Sequence, residues 1–274
     1  DKQWQERFNA FKKEFGKLDH PDFHVYIDTE LAGPTSPKSV EDLRLMEIEN
    51  LVSFLKTWQP PEDPLSESPE ALGLALSAPV VSEPERFAAE ATRFKDVDPT
   101  YVRALLSGLN DAIKQGKVFP WSPVLDLCRW IIEQPREIPG RKGRYADLDP
   151  GWVWTRKTIA ALLDDGFESE TSQIPFALRS AAWDVLSPLT KDPDPTPERE
   201  ERHGMDPATL AINTVRGEAM HAVLRYALWV RGHTKKSRNG KEPVTPGFDE
   251  MSEVREVLNH HLDPNNDSSL AIRA

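Results

Sequence analysis

Apolar residues recur along this chain at steps of three and four, the period of the α-helix. The longest such stretch is 206–231, DPATLAINTVRGEAMHAVLRYALWVR. Asp206 has the short acceptor side chain that caps a helix, and Pro207 sits in the first turn, where a missing N–H costs nothing. Ala211, Val215, Ala219, Ala222, Tyr226 and Val230 form one apolar face, with Leu210, Leu224 and Leu228 roughly opposite. Only the stripe Thr214, Glu218, His221 and Arg225 is consistently polar. The pattern predicts one helix over 207–231, apolar on two sides and held between layers of other helices.

The same period, punctuated by prolines and caps, predicts the other helices. Trp4, Phe8, Phe11 and Phe15 mark an aromatic core face on a first helix ending near Gly16. Ser39-Val-Glu-Asp resembles a capping box and opens a helix that Pro60 stops. Short helices are expected near Glu70–Leu76 and from Pro84 to Phe94. Asp98-Pro99 opens a helix to Lys114, Ser122-Pro123 one to about 134, and Asp149-Pro150 one that Gly166 closes. Pro175 starts FALRSAAWDVL, and further helices are expected near 250–261 and from Leu270. The acidic stretch 190–204 and the proline-rich stretch 60–70 read as loops. The passage 23–31 is the one strand-like segment and is too little to make a sheet.

The second half falls into pairs, 100–114 with 122–134, 150–165 with 175–189, and 207–231 with 250–261. Helix pairs that start roughly 50 residues apart suit repeat architectures in which each pair buries its face on the next. The expected fold is therefore all-α: antiparallel helix pairs stacked into an α-solenoid superhelix over 1–274, with possible sub-lobes at 1–95 and 96–274. Within 150–274, four segments resemble pieces of HEAT- or armadillo-like helical-repeat regions in large bacterial multidomain proteins of signalling or anti-phage defence type. They are GWVWTRKTIAALLDDGF, FALRSAAWDVL, DPATLAINTVRGEAMHAVLRYALW and DPNNDSSLAIRA. The resemblance implies a scaffold or sensor region and transfers no catalytic residue.

Composition narrows this reading. A net charge of −11 argues against general binding to nucleic acid or anionic membrane. No apolar run approaches the roughly 20 residues of a membrane helix. One cysteine, Cys128, excludes an internal disulfide and suits a reducing cytoplasm. The 24 prolines outnumber the 14 glycines and fall mostly between helical segments. Opening on charged DKQWQERF and stopping at SSLAIRA, the chain reads as a fragment of a longer protein.

Candidate chemistry is sparse. Glu218 and His221 stand at i, i+3 on one helix face, a spacing that di-iron bundles use twice; here there is one copy. A helical-bundle metal enzyme at Glu218 and His221 is the alternative to a scaffold. The plainer reading pairs Glu218, His221 and Arg225 along the helix. His260 and His261 are adjacent and read as a solvated helix end. Asp164 and Asp165 close a helix and are expected to face apart. Cys128 lies on an apolar face and reads as a small hydrophobe. Two basic runs, Arg136, Arg141, Lys142 and Arg144, and Arg231, Lys235, Lys236, Arg238 and Lys241, offer a third reading, a nucleic-acid-binding repeat. Their expected positions on different edges of the stack count against it. Trp152 and Trp154 cannot both face one core, so one of them is a candidate for contacting a partner. The leading expectation is a non-enzymatic scaffold without cofactor. It would bind a protein or a neighbouring domain of the same chain through Arg179, Thr214, Glu218, His221 and Arg225.

Overall fold

The computed structural model describes residues 2–15, 35–61, 66–141, 149–203, 206–237, 248 and 250–273. The passage 23–31, and Lys142, Arg144, Arg238 and Lys241 of the basic runs, lie outside them. The chain divides into two units, Asp1–Gly33 and Pro34–Ala274. The first contains α1 (Lys2–Phe15). Trp4 and Phe8 stack there with centroids 5.1 Å apart, but both are exposed, so this half of the aromatic stripe is not a core face. Periodicity reveals that a helix has an apolar side; it does not supply the surface that would cover it.

The second unit runs α2 (Val40–Leu45), α3 (Ile48–Thr57), α4 (Pro69–Ser82), α5 (Pro84–Ala89), α6 (Pro99–Lys114), α7 (Trp121–Glu133) and α8 (Val153–Glu168). It continues with α9 (Arg179–Leu189), α10 (Pro197–His203), α11 (Pro207–Ile212), α12 (Val215–Ser237), α13 (Ser252–Leu262) and α14 (Leu270–Arg273). Among the described residues no strand forms, only two isolated bridges, Thr35 with Glu67 and Glu137 with Gly151. The fold is all-α.

The expected caps are in place. Ser39 and Asp42 close a capping box on α2, and Asp98 and Asp206 accept backbone N–H groups at the starts of α6 and α11. Other boundaries move for reasons that lie far off in sequence. The helix expected across 40–58 breaks after Leu45, where Arg86 donates to the carbonyls of Arg44 (2.7 Å) and Met46. α8 starts at Val153 because Asp149 is buried against Arg103 (2.8 Å). It runs past Gly166, where an added Cβ would lie 2.5 Å from the Trp121 ring. Helix α10 occupies part of the acidic stretch expected as loop; Glu198 and Glu200 favour its first turn.

The long helix expected over 207–231 is two helices. α11 ends at Ile212 and α12 begins after Thr214, whose hydroxyl accepts from Gly217 N–H (3.3 Å) and donates to the Ala211 carbonyl (2.9 Å). A Cβ on Gly217 would sit 2.1 Å from that carbonyl oxygen. The glycine therefore lets the two helices meet at a sharp corner, α11 packing on α14 and α12 on α8.

The helices pack in succession: α4 on α6, α6 on α8 and α8 on α12, and, in a second series of contacts, the Ala91–Phe94 turn on α7, α7 on α9, and α9 on α12. One apolar core runs from Leu43 through Leu105, Ile159 and Tyr226 to Val254, across position 95 without a break. Cys128 is fully buried in it, and burial pushes its thiol up to about 12. Trp152 is buried and Trp154 is 47% exposed, the division that their spacing requires.

Candidate interaction face

α6, α8 and α12 are tied together along one side by ion pairs between neighbouring helices. Arg103 on α6 bridges Glu70 (2.9 Å) and Asp149 (2.8 Å), and its guanidinium lies 5.6 Å from the Trp154 ring. Further along, Lys114 reaches Asp165 on α8 (3.5 Å). Arg225 on α12 reaches Glu168 (2.7 Å) and Asp164 (3.8 Å) on α8. The exposed pairs among these are each worth about 0–1 kcal/mol, so they set register more than stability; Asp149 is fully buried.

Asp164 is also withdrawn from water. It is half-buried, and desolvation pushes its carboxyl up to about 6; Arg225 opposes the shift, while Asp165, Glu168 and Glu218 add to it. Burial also raises Glu218, against the pull of Lys157 and His221. Asp164, Asp165 and Glu168 bring carboxylate oxygens within 4.8 Å of one another, so the adjacent aspartates do not face apart as expected. Three such oxygens could bind a hard cation, but Arg225 and Lys114 already occupy them with positive charge. Among the described residues, Glu218 and His221 gather no third ligand around them.

The five residues expected to share a partner face separate. Glu218, His221 and Arg225 lie along the α8-facing flank of α12. Thr214 is 2% exposed and belongs to the α11–α12 corner, so it offers nothing to a partner. Arg179 works on another flank, donating to the Tyr226 hydroxyl (3.0 Å), the Glu250 carbonyl (2.8 Å) and the Glu253 carboxylate (2.7 Å). It clamps α9 to α12 and α13. His261 is also relocated: it is 3% exposed, with Nδ1 2.6 Å from Asp267, rather than solvated at a helix end. The basic runs are partly neutralised, Arg136 by Asp192 (3.4 Å) and Arg141 by Asp98 (2.8 Å).

What the sequence reading passed over is the role of two leucines. Leu224 and Leu228, one turn apart on α12, are 53% and 62% exposed. The second apolar side of this helix, expected to lie against another layer, therefore faces solvent; its place opposite the Tyr226 side is the sequence signal for it. Leu228 borders a shallow cleft of about 230 Å³ shared with Glu168, Arg225 and Trp229. The Trp229 indole N–H lies beneath the surface, fully buried and without a hydrogen-bond acceptor among the described residues. The face thus combines apolar knobs with a charged rim.

No family model matches the chain, and no curated protein or solved structure does either.

Proposed function

We propose that the chain is a non-catalytic helical-repeat scaffold, an α-solenoid whose α12 flank holds a protein partner or a neighbouring domain of the same protein. The successive packing of α4, α6, α8 and α12, with its second series of contacts, supports the solenoid reading, since in a solenoid each helix pair buries its face only on the next. The resemblance of 150–274 to helical-repeat regions of large bacterial signalling and defence proteins supports it as well. The observation that carries the binding role is the pair Leu224 and Leu228, exposed beside the Arg225–Glu168 bridge. Apolar anchors within a charged rim are what a protein interface needs. The occupant is an amphipathic helix. Its apolar stripe covers the leucines, and its polar edge meets Arg225 and Glu168.

A photo-crosslinking residue placed at Leu224 tests this in the protein in its own host. The expected result is one discrete product, intermolecular or within the chain, that Leu228→Asp abolishes while circular dichroism stays unchanged. Placement at Leu74, which is 73% exposed on α4, serves as the control. Identical products from both positions, or a product indifferent to Leu228→Asp, would refute the proposed face.

A further inference from the structure

A second concave site lies away from α12, where the end of α3 meets the start of α6 and the end of α7. The cavity measures about 430 Å³ and is walled by Trp58, Tyr101, Trp130 and Trp152. That volume falls within the range of small-molecule sites, roughly 300–1,000 Å³. Trp130 and Trp152 meet edge to face, with centroids 5.4 Å apart. The aromatic walls are accompanied by Asp98 and Arg141, which pair at 2.8 Å and also line the cavity.

The cleft carries a polar group of its own. Tyr101 is only 3% exposed as a whole, but its hydroxyl makes no hydrogen bond to another described residue and stays accessible at the cleft wall, open to water or a ligand. A phenylalanine would fill the same space without the polar group. Asp96, on the rim, holds φ at +62°, the left-handed region that aspartate adopts more readily than most side chains, and so turns the chain into α6.

The lining also limits what can bind. Asp96 and Asp98 are balanced by Lys56 and Arg141, so the walls carry no net formal charge. A phosphate or a quaternary ammonium would find no surplus of opposite charge there to repay its desolvation. An uncharged planar ring needs none: it can stack on the indoles, and its edge can meet the Tyr101 hydroxyl and the paired Asp98 and Arg141. That pair presents an acceptor and a forked donor side by side, the complement of a heterocycle edge with neighbouring donor and acceptor atoms.

We infer that the Trp58–Tyr101–Trp130–Trp152 cleft is a binding site for a small, uncharged heteroaromatic ligand of the nucleobase or nucleoside class. This site is independent of the α12 face.

Intrinsic tryptophan fluorescence, with isothermal calorimetry as the second readout, tests it on the full chain. The probes are adenosine, guanosine, cytidine and uridine, with ribose, ATP and tetramethylammonium as comparisons. At least one nucleoside is expected to bind saturably below millimolar concentration, at one site per chain, with ribose inert and ATP weaker than adenosine. Tyr101→Phe keeps the ring and should weaken binding about tenfold, as loss of one buried hydrogen bond does. Trp58→Ala, at a half-buried position on the wall, should weaken it by a similar factor through lost stacking. No saturable signal from any nucleoside into the millimolar range overturns the inference. So does tighter binding of tetramethylammonium, which would make the cleft a cation cage, or of ATP, which would place the recognition on phosphate. Nucleoside binding that is unchanged in both variants overturns the placement.

Discussion

Replacing Asp164 by asparagine removes one charge from the α8–α12 contact while keeping the side chain's shape. Burial raises this carboxyl from 3.8 to about 6, so the folded protein holds the proton more tightly than the unfolded chain does. Wild-type stability linked to Asp164 is therefore fully present below pH 3.8. It is lost as pH rises toward 6, and nothing further is lost above. Two pH units correspond to about 3 kcal/mol at 1.36 kcal/mol per unit. The side chain is only 20% exposed, so solvent screening trims this modestly. The attraction of Arg225 at 3.8 Å is already contained in the shifted value, and the 2.7 Å Arg225–Glu168 bridge stays in the variant. The net expectation is that Asp164→Asn is more stable than wild type by about 2–3 kcal/mol at pH 7.5. The advantage should shrink to near zero by pH 4. Urea denaturation of both proteins at half-unit steps from pH 4 to pH 8 measures the difference. A variant less stable than wild type at pH 7.5, or a difference that stays flat over that range, would refute the account of Asp164 as a desolvated carboxylate.

Gly217→Ala should lower stability by about 2–3 kcal/mol, visible as a reduced urea midpoint, because its methyl group would overlap the Ala211 carbonyl at 2.1 Å. Alanine's better helix propensity, worth about 1 kcal/mol, makes this a net test of the corner. Arg179→Met should cost about 2–4 kcal/mol in the same assay, since it leaves the Tyr226 and Glu253 groups without their shared donor. Native Cys128 should not react with a thiol reagent at pH 8, being fully buried with its thiol pushed up to about 12. Full reaction should appear only in denaturant, and fast labelling of the native protein would contradict its place in the core.

Local signals in the chain reached most of the helices. Caps such as Ser39, Asp98 and Asp206 act within three residues, so they can be read from neighbours alone. What could not be read are events with distant causes. The break after Leu45 depends on Arg86, the late start of α8 on the pull of Arg103 on Asp149, and the α11–α12 corner on where Ala211 meets Gly217. The polar stripe on α12 was visible, but its meaning was not. Thr214 faces inward at the corner, and Arg225 is spent on α8 carboxylates whose proximity depends on packing. Likewise the aromatic cleft draws Trp58, Tyr101, Trp130 and Trp152 from separate helices and a loop, and no linear pattern joins them.

The seat of Trp121 against Gly166 has a mechanical consequence. The indole fills the notch left by the absent methyl and donates to the Ser172 carbonyl (3.0 Å), so α7 and α8 are keyed together like a pin in a slot. Sliding either rod by one residue would drive the ring into a side chain. Axial slip between these two helices is blocked, and a pull applied to one must carry the other with it.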